Sequence, residues 1–175
     1  ITCRDWSSDV CSSDLQLKIY TIENKEEEII LRNKSKEVSP KELKTKEFQE
    51  FLEDLLHTAK TSEEQVGIES GGISAPQVGV NKSVVYIFNY DTNEFELILN
   101  PVVQNIGSKT DIDIEGCLSV PNVEKNVERF KKIKVKYMDK DGKIIKRRFS
   151  GLNARVVQHE DDHLNGILFI DKAID

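Results

Sequence analysis

With 175 residues, of which 38% are hydrophobic, the chain suits one globular domain with a real core and is too short for two comfortable ones. A net charge of −6 and a pI near 5.2 argue against a nucleic-acid-binding surface, which calls for clustered excess Lys and Arg. No apolar run approaches the roughly 20 residues that a helix needs to cross a bilayer, so no membrane span is expected.

Residues 1–15 differ from everything after them. Trp6-Ser7-Ser8-Asp9-Val10-Cys11-Ser12-Ser13-Asp14-Leu15 is a Ser-Ser-Asp near-repeat, without the charged start and long apolar centre of a signal peptide. From Asp5 to Leu15 it resembles a translated sequencing-library adapter. We therefore expect a non-native segment at 1–15 and a single domain over residues 16–175. Setting Cys3 and Cys11 aside leaves Cys117, which has no partner for an internal disulfide. It is either an inert buried thiol or a metal ligand or nucleophile.

Residues 17–22, Leu-Lys-Ile-Tyr-Thr-Ile, alternate apolar and polar side chains and predict a strand, followed by a charged connection as far as Val38. Ser39-Pro40-Lys41-Glu42 supplies an N-cap, a proline at the first helical position and a capping-box glutamate, so a helix is expected from there. Phe48, Phe51, Leu52, Leu55, Leu56 and Ala59 make it amphipathic, with one face to pack on a sheet. His57 lies off that stripe and is expected to be solvated.

The stretch 66–80 is dense in glycine and contains Gly72-Ile73-Ser74-Ala75-Pro76-Gln77. Glycine lets a backbone approach a ligand closely, and proline fixes the path into Gln77. The stretch lacks the G-K-[ST] ending of a phosphate cradle, so close approach to an extended substrate fits better. Residues 84–88 and 95–101 predict paired strands joined by a polar turn. Residues 134–137 and 144–149 predict a hairpin about Asp139-Lys140-Asp141-Gly142. Its lysines and arginines suit a solvated sheet face.

Between them lies Glu115-Gly116-Cys117-Leu118-Ser119. A last helix is expected over residues 152–165, stopped by Gly166, and carries Gln158-His159-Glu160-Asp161-Asp162-His163-Leu164. Side chains four apart share a helix face, so His159 and His163 can offer their imidazoles to one ion with Glu160 alongside. Two helical histidines are equally often solvated or core residues, and this pattern alone leaves both readings open. Leu152, Val156, His159 and His163 share one stripe, which predicts a buried helix and a partly dry cleft. Adding Cys117 makes three protein ligands with a fourth position left to water, the arrangement of a catalytic tetrahedral centre. Glu115 is either an anchor for this loop or for Arg129, or a surface carboxylate.

These three motifs, in this order, resemble those of the peptide deformylase family, and the resemblance runs from Gln16 to the end. It implies an α+β fold with antiparallel strands around a central C-terminal helix carrying H-E-x-x-H; the amphipathic helix read above lies N-terminal to these. The implied activity is metal-dependent removal of the N-formyl group from the N-terminal formylmethionine of newly made polypeptides, releasing formate. Cys117, His159 and His163 would hold one Fe²⁺, replaceable by Zn²⁺ or Ni²⁺. Glu160 would move the proton, Gln77 and the Leu118 N–H would meet the oxyanion, and Gly72 would contact the substrate backbone. Glu115, Gln158 and Asp162 would support the ligands from behind. The implied partners are N-formyl-Met nascent peptides, met at the ribosome exit in the cytoplasm, with no direct nucleic-acid or membrane contact. Ser70 and Ser74 stand where the family usually has glycine and alanine. A general zinc peptidase or a non-catalytic metal-binding module are the alternatives.

Overall fold

The computed structural model describes residues 15–174, so the expected non-native segment, apart from Leu15, lies outside the described residues. Residues 17–22 run across the molecule without joining a sheet. Their amides are taken up singly: Leu17 by Thr58 Oγ1 (2.8 Å), Ile19 by Gln65 Oε1 (2.8 Å), Tyr20 by Gln77 O (2.7 Å) and Ile22 by Ser119 O (3.0 Å). The expected strand is therefore a strap. Alternation does bury Ile19, but each amide is answered by a different element and no ladder forms.

Where a charged connection was expected, a helix forms: α1, Lys25–Leu31. Asn24 caps it by accepting from the amides of Glu26 and Glu27, and Leu31 is buried at its end. Two turns are too few to display an apolar stripe, which hid it in the sequence. The single helix expected from Ser39 is two, α2 (Pro40–Leu43) and α3 (Lys46–Lys60). Thr45 breaks them by capping the second, accepting from the Phe48 amide at 3.3 Å. Phe48, Leu52, Leu55 and Ala59 of α3 are buried as predicted, whereas His57 is half-buried rather than solvated. A short α4, Ser62–Val66, follows.

The glycine-rich stretch contains β1, Gly72–Ser74, and a 3-10 turn over Ala75–Val78. Then come β2 (Val84–Asn89), β3 (Glu94–Asn105), β4 (Thr110–Cys117), β5 (Val120–Phe130), β6 (Lys132–Met138), β7 (Ile144–Ser150) and α5 (Gly151–Leu164). Five strands form one antiparallel sheet in the order β1-β2-β3-β6-β7, while β4 and β5 form a separate two-stranded ribbon. That ribbon was not anticipated. Its Asp111-Ile112-Asp113-Ile114 alternation is plain, but Ile112 and Ile114 face outward, 57% and 61% exposed.

Strand β2 is apolar on both faces because both are covered. Val85 and Ile87 pack with Ala154, Val157 and Leu164 of α5, while Val84 and Tyr86 join the cluster containing α3. Helix α5 thus lies between the main sheet and the ribbon. Leu152 does not belong to its buried face, being 48% exposed. The core side of the helix is Ala154, Val157 and Leu164, and the stripe Leu152, Val156, His159 takes its more open side.

Candidate metal centre

The turn after β4 and the last two turns of α5 bring three donors together. Cys117 Sγ and one ring nitrogen each from His159 and His163 all lie within 4.8 Å of one another. Cys117 Sγ is 3.2 Å from His163 Nε2. Tetrahedral coordination with bonds of about 2.0–2.3 Å sets such donors about 3.3–3.6 Å apart, so the set fits a single divalent ion with small adjustment. The sulfur also receives the Ser119 amide at 3.4 Å and Gln77 Nε2 at 3.7 Å.

The electrostatics agree with that fit. Burial disfavours a charged His159, yet hydrogen bonds to Cys117 and Glu115 outweigh it and hold its pKa well above the ordinary value. A spot that favours positive charge beside a cysteine sulfur suits a metal cation in the proton's place. Burial, with the charges of His159 and Arg129, pushes His163 well below the ordinary value, which keeps its ring neutral as a ligand must be.

Glu160 lies against Gly72. A Cβ on that glycine would come within 2.7 Å of Glu160 Oε1, so only glycine lets β1 pass this close. Glu160 Oε2 and His163 Nδ1 are buried with no hydrogen-bond partner. Burial pushes the Glu160 carboxyl up to about 7, a value poised for proton transfer near neutrality. Gln77 is held at both ends of its amide: Oε1 accepts from the Ser74 amide (2.9 Å) and hydroxyl (3.2 Å), and Nε2 donates to Ser119 Oγ at 3.2 Å. Leu118 is buried in the turn beside Cys117.

Behind the ligands sits a buried carboxylate with all its positions used. Glu115 accepts from Arg129 Nε (2.9 Å) and Nη2 (2.8 Å), from Arg155 Nη1 (2.7 Å) and pairs with His159 Nδ1 at 2.9 Å. Burial works against its ionised form, but hydrogen bonds from Arg129 and His159 outweigh it and keep its pKa far below the usual range. The Nδ1 contact leaves Nε2 as the ligand atom of His159. Asp162 takes Arg129 Nη1 at 2.5 Å and Lys172 Nζ at 2.8 Å. Gln158 ties α5 to β5 through both backbone groups of Phe130, at 3.0 and 2.9 Å. Among the described residues, non-glycine positive φ occurs only at Asn93, Asn100 and Asn122, so Ser70 is not strained by replacing a glycine.

The family model described as polypeptide deformylase matches residues 16–175. The chain belongs to the polypeptide deformylase family. It is 36% identical over 154 residues to a peptide deformylase of Fusobacterium nucleatum, covering 88% of this chain and 83% of that one. It is 40% identical over 146 residues to one of Dictyoglomus thermophilum, covering 83% and 88%. The fold is similar to a class I type b peptide deformylase of Acinetobacter baumannii, with TM-score 0.77 at 33% identity over 90% of this chain and 99% of that one. The Thermotoga maritima peptide deformylase gives 0.77 at 30% identity, over 91% and 99%. As a peptide deformylase the chain is a hydrolase that removes the N-formyl group from nascent polypeptides.

The structure brings Gln77, Leu118, Glu115, Glu160 and Gly72 close to Cys117, His159 and His163, while Asp162 binds Arg129 and Gln158 binds the Phe130 backbone one step back. Two contributors escaped the sequence reading: Ser119, which meets both Gln77 and the Cys117 sulfur, and Arg155, which shares Glu115 with Arg129. Arg155 had a signal. A cation one turn before His159 on a helix predicted to be buried demands a buried counter-charge.

Proposed function

We propose that deformylation runs through one divalent ion held by the Cys117 thiolate, His159 Nε2 and His163, with Fe²⁺ as native occupant and Zn²⁺ or Ni²⁺ as replacements. The observation that carries this is the buried, unpartnered Glu160 carboxylate lying against Gly72 beside the three donors. Such an ion supplies Lewis acidity, acidifying a water and polarising the formyl carbonyl.

The chain's own groups do the rest. Glu160 accepts a proton as water adds to the formyl carbon, then returns it to the amine nitrogen as the C–N bond breaks, giving formate and a free N-terminus. Gln77 Nε2 and the Leu118 N–H stabilise the developing oxyanion, and losing one such donor costs about 10²–10³ in rate. Gly71 O accepts from the Phe88 amide, so one residue on, the N–H and C=O of Gly72 turn away from β2 toward the open sheet edge. An extended substrate pairs there. The tight approach of β1 to Glu160 leaves room for a small acyl group, which selects formyl.

Residues 16–175 act as one catalytic domain on N-formyl-Met nascent chains at the ribosome exit, in the cytoplasm; the family match over that span supports this. Residues 1–15 are the non-native addition. The test is formate release from formyl-Met-Ala-Ser by protein reconstituted with Fe²⁺ without oxygen. Release dependent on the formyl group supports the reading; cleavage of internal peptide bonds without formyl dependence assigns a general peptidase instead.

A further inference from the structure

Cys117 and the histidines come from two bodies that share no ladder: a two-stranded ribbon and a helix packed on the main sheet. A lone two-stranded ribbon has little stability of its own, so its angle on α5 must be imposed. Two arginines cross between them. Arg129 leaves β5 and reaches Asp162 of α5 while holding Glu115. Arg155 leaves α5 in the opposite direction. Its Nη1 donates to Glu115 Oε2 at 2.7 Å and Val127 O at 2.9 Å, and its Nη2 to Asp111 O at 3.1 Å and Oδ1 at 2.6 Å.

Arg155 therefore grips both strands of the ribbon, β4 through Asp111 and Glu115 and β5 through Val127. Gln158 of α5 also holds β5, through both backbone groups of Phe130, but of these three side chains Arg155 alone reaches Asp111 of β4. Arg155 and Asp162 lie seven residues apart on α5, about 10 Å along its axis, and two tethers at that separation fix an angle. Arg129 by itself already gives Glu115 a bidentate partner, so neutralising that carboxylate does not require a second arginine. The guanidinium of Arg155 is nonetheless buried, and its four bonds are spent on position.

We infer that Arg155 is a positioning residue of the metal centre: by stapling the β4–β5 ribbon to α5 it sets Cys117 at bonding distance from the histidines and aims His159 through Glu115. This rests on the metal reading proposed above. The expected consequence is on metal affinity and geometry rather than on substrate binding, because Arg155 touches the ribbon and the carboxylate behind His159. Partners that orient metal-bound histidines from behind typically govern affinity by 10–100-fold.

The experiment titrates Co²⁺ against a competing chelator in the parent, Arg155→Met and Arg155→Lys, recording the visible thiolate-to-metal band, the melting curve and KM and kcat for formyl-Met-Ala-Ser. Arg155→Met should weaken Co²⁺ binding about 10–100-fold and alter the band, with KM within about twofold of the parent. Arg155→Lys keeps the charge but cannot span Glu115, Val127 and Asp111 together, so it should fold and bind Co²⁺ about 3–10-fold more weakly. Co²⁺ affinity within twofold of the parent in folded Arg155→Lys, with an unchanged band, overturns the inference, even if Arg155→Met fails to fold. A parent that binds Co²⁺ without a thiolate band overturns the metal reading itself.

Discussion

The helix and the ribbon hold the same site by different balances of packing and charge. Helix α5 is fixed by apolar packing: Ala154, Val157 and Leu164 sit in a cluster with Ile87, Ile98 and Val135, so His159, Glu160 and His163 are as rigid as the core beneath them. The β4–β5 ribbon turns Ile112 and Ile114 outward, buries Cys117, Val120 and Val127 against Leu168 and Phe169, and meets α5 through polar groups, Glu115, Arg129, Arg155 and Gln158. Packing is tolerant of direction, whereas bidentate guanidinium bonds specify an angle. A donor set split between two bodies therefore has its helical half held by burial, and its ribbon half buried on one side and aimed by ion pairs toward the helix.

Stripping the ion should have the largest effect. A chelator should abolish formate release, and Fe²⁺ added without oxygen should restore it in the parent but not in Cys117→Ala. Restoration in Cys117→Ala would remove the ribbon from the site altogether. Glu160→Gln should lower kcat by about 10²–10⁴ while Co²⁺ binding persists, as the proposed role of the carboxylate in moving protons without ligating the ion requires. Full kcat in that variant would assign the proton to another group.

Next come two substitutions that separate the halves. Glu115→Gln, which leaves two arginines facing a neutral amide, should cost about 3–5 kcal/mol in denaturant unfolding and weaken metal binding as well. Leu164→Ala should cost a similar 2–5 kcal/mol or so through its cavity, yet leave Co²⁺ affinity of the folded protein close to the parent's. Equal losses of affinity in both would erase the contrast. Ser70 gives a smaller effect. Its hydroxyl donates to Gly72 O at 2.5 Å and accepts from Gly72 N at 3.1 Å, occupying the groups proposed to pair with substrate. Ser70→Ala should lower KM about 2–10-fold with kcat unchanged, the value of one or so hydrogen bonds no longer contested. Leu152→Ser should change stability by no more than about 0.5 kcal/mol, because Leu152 is 48% exposed.

Much of the site was legible because its chemistry is written in short, dense motifs. His159 and His163 share a helix face by spacing alone, and Gly72 announces a close approach that Glu160 explains, since a Cβ there would meet its Oε1 at 2.7 Å. The amphipathic stripe of α3 and the β6–β7 hairpin were legible for the same reason: each is a local period with its own turn or cap. What misled was periodicity without partners. Residues 17–22 alternate like a strand but meet five separate acceptors, and Leu152 keeps the spacing of a buried stripe while lying on the open side of α5.

The α3 stripe, the β6–β7 hairpin and the shared helix face of His159 and His163 were thus determined by the chain's local pattern, since helical and strand periods act within a few positions. Tertiary structure alone decided that β4 and β5 stand apart as a ribbon. It decided too that Glu115 faces two arginines rather than water, and that Ser119 holds the Gln77 amide. Those side-chain contacts join residues 14 to 42 positions apart, and no local period encodes which buried cation will meet which carboxylate. That choice follows from how the apolar faces pack, and the metal centre inherits its geometry from it.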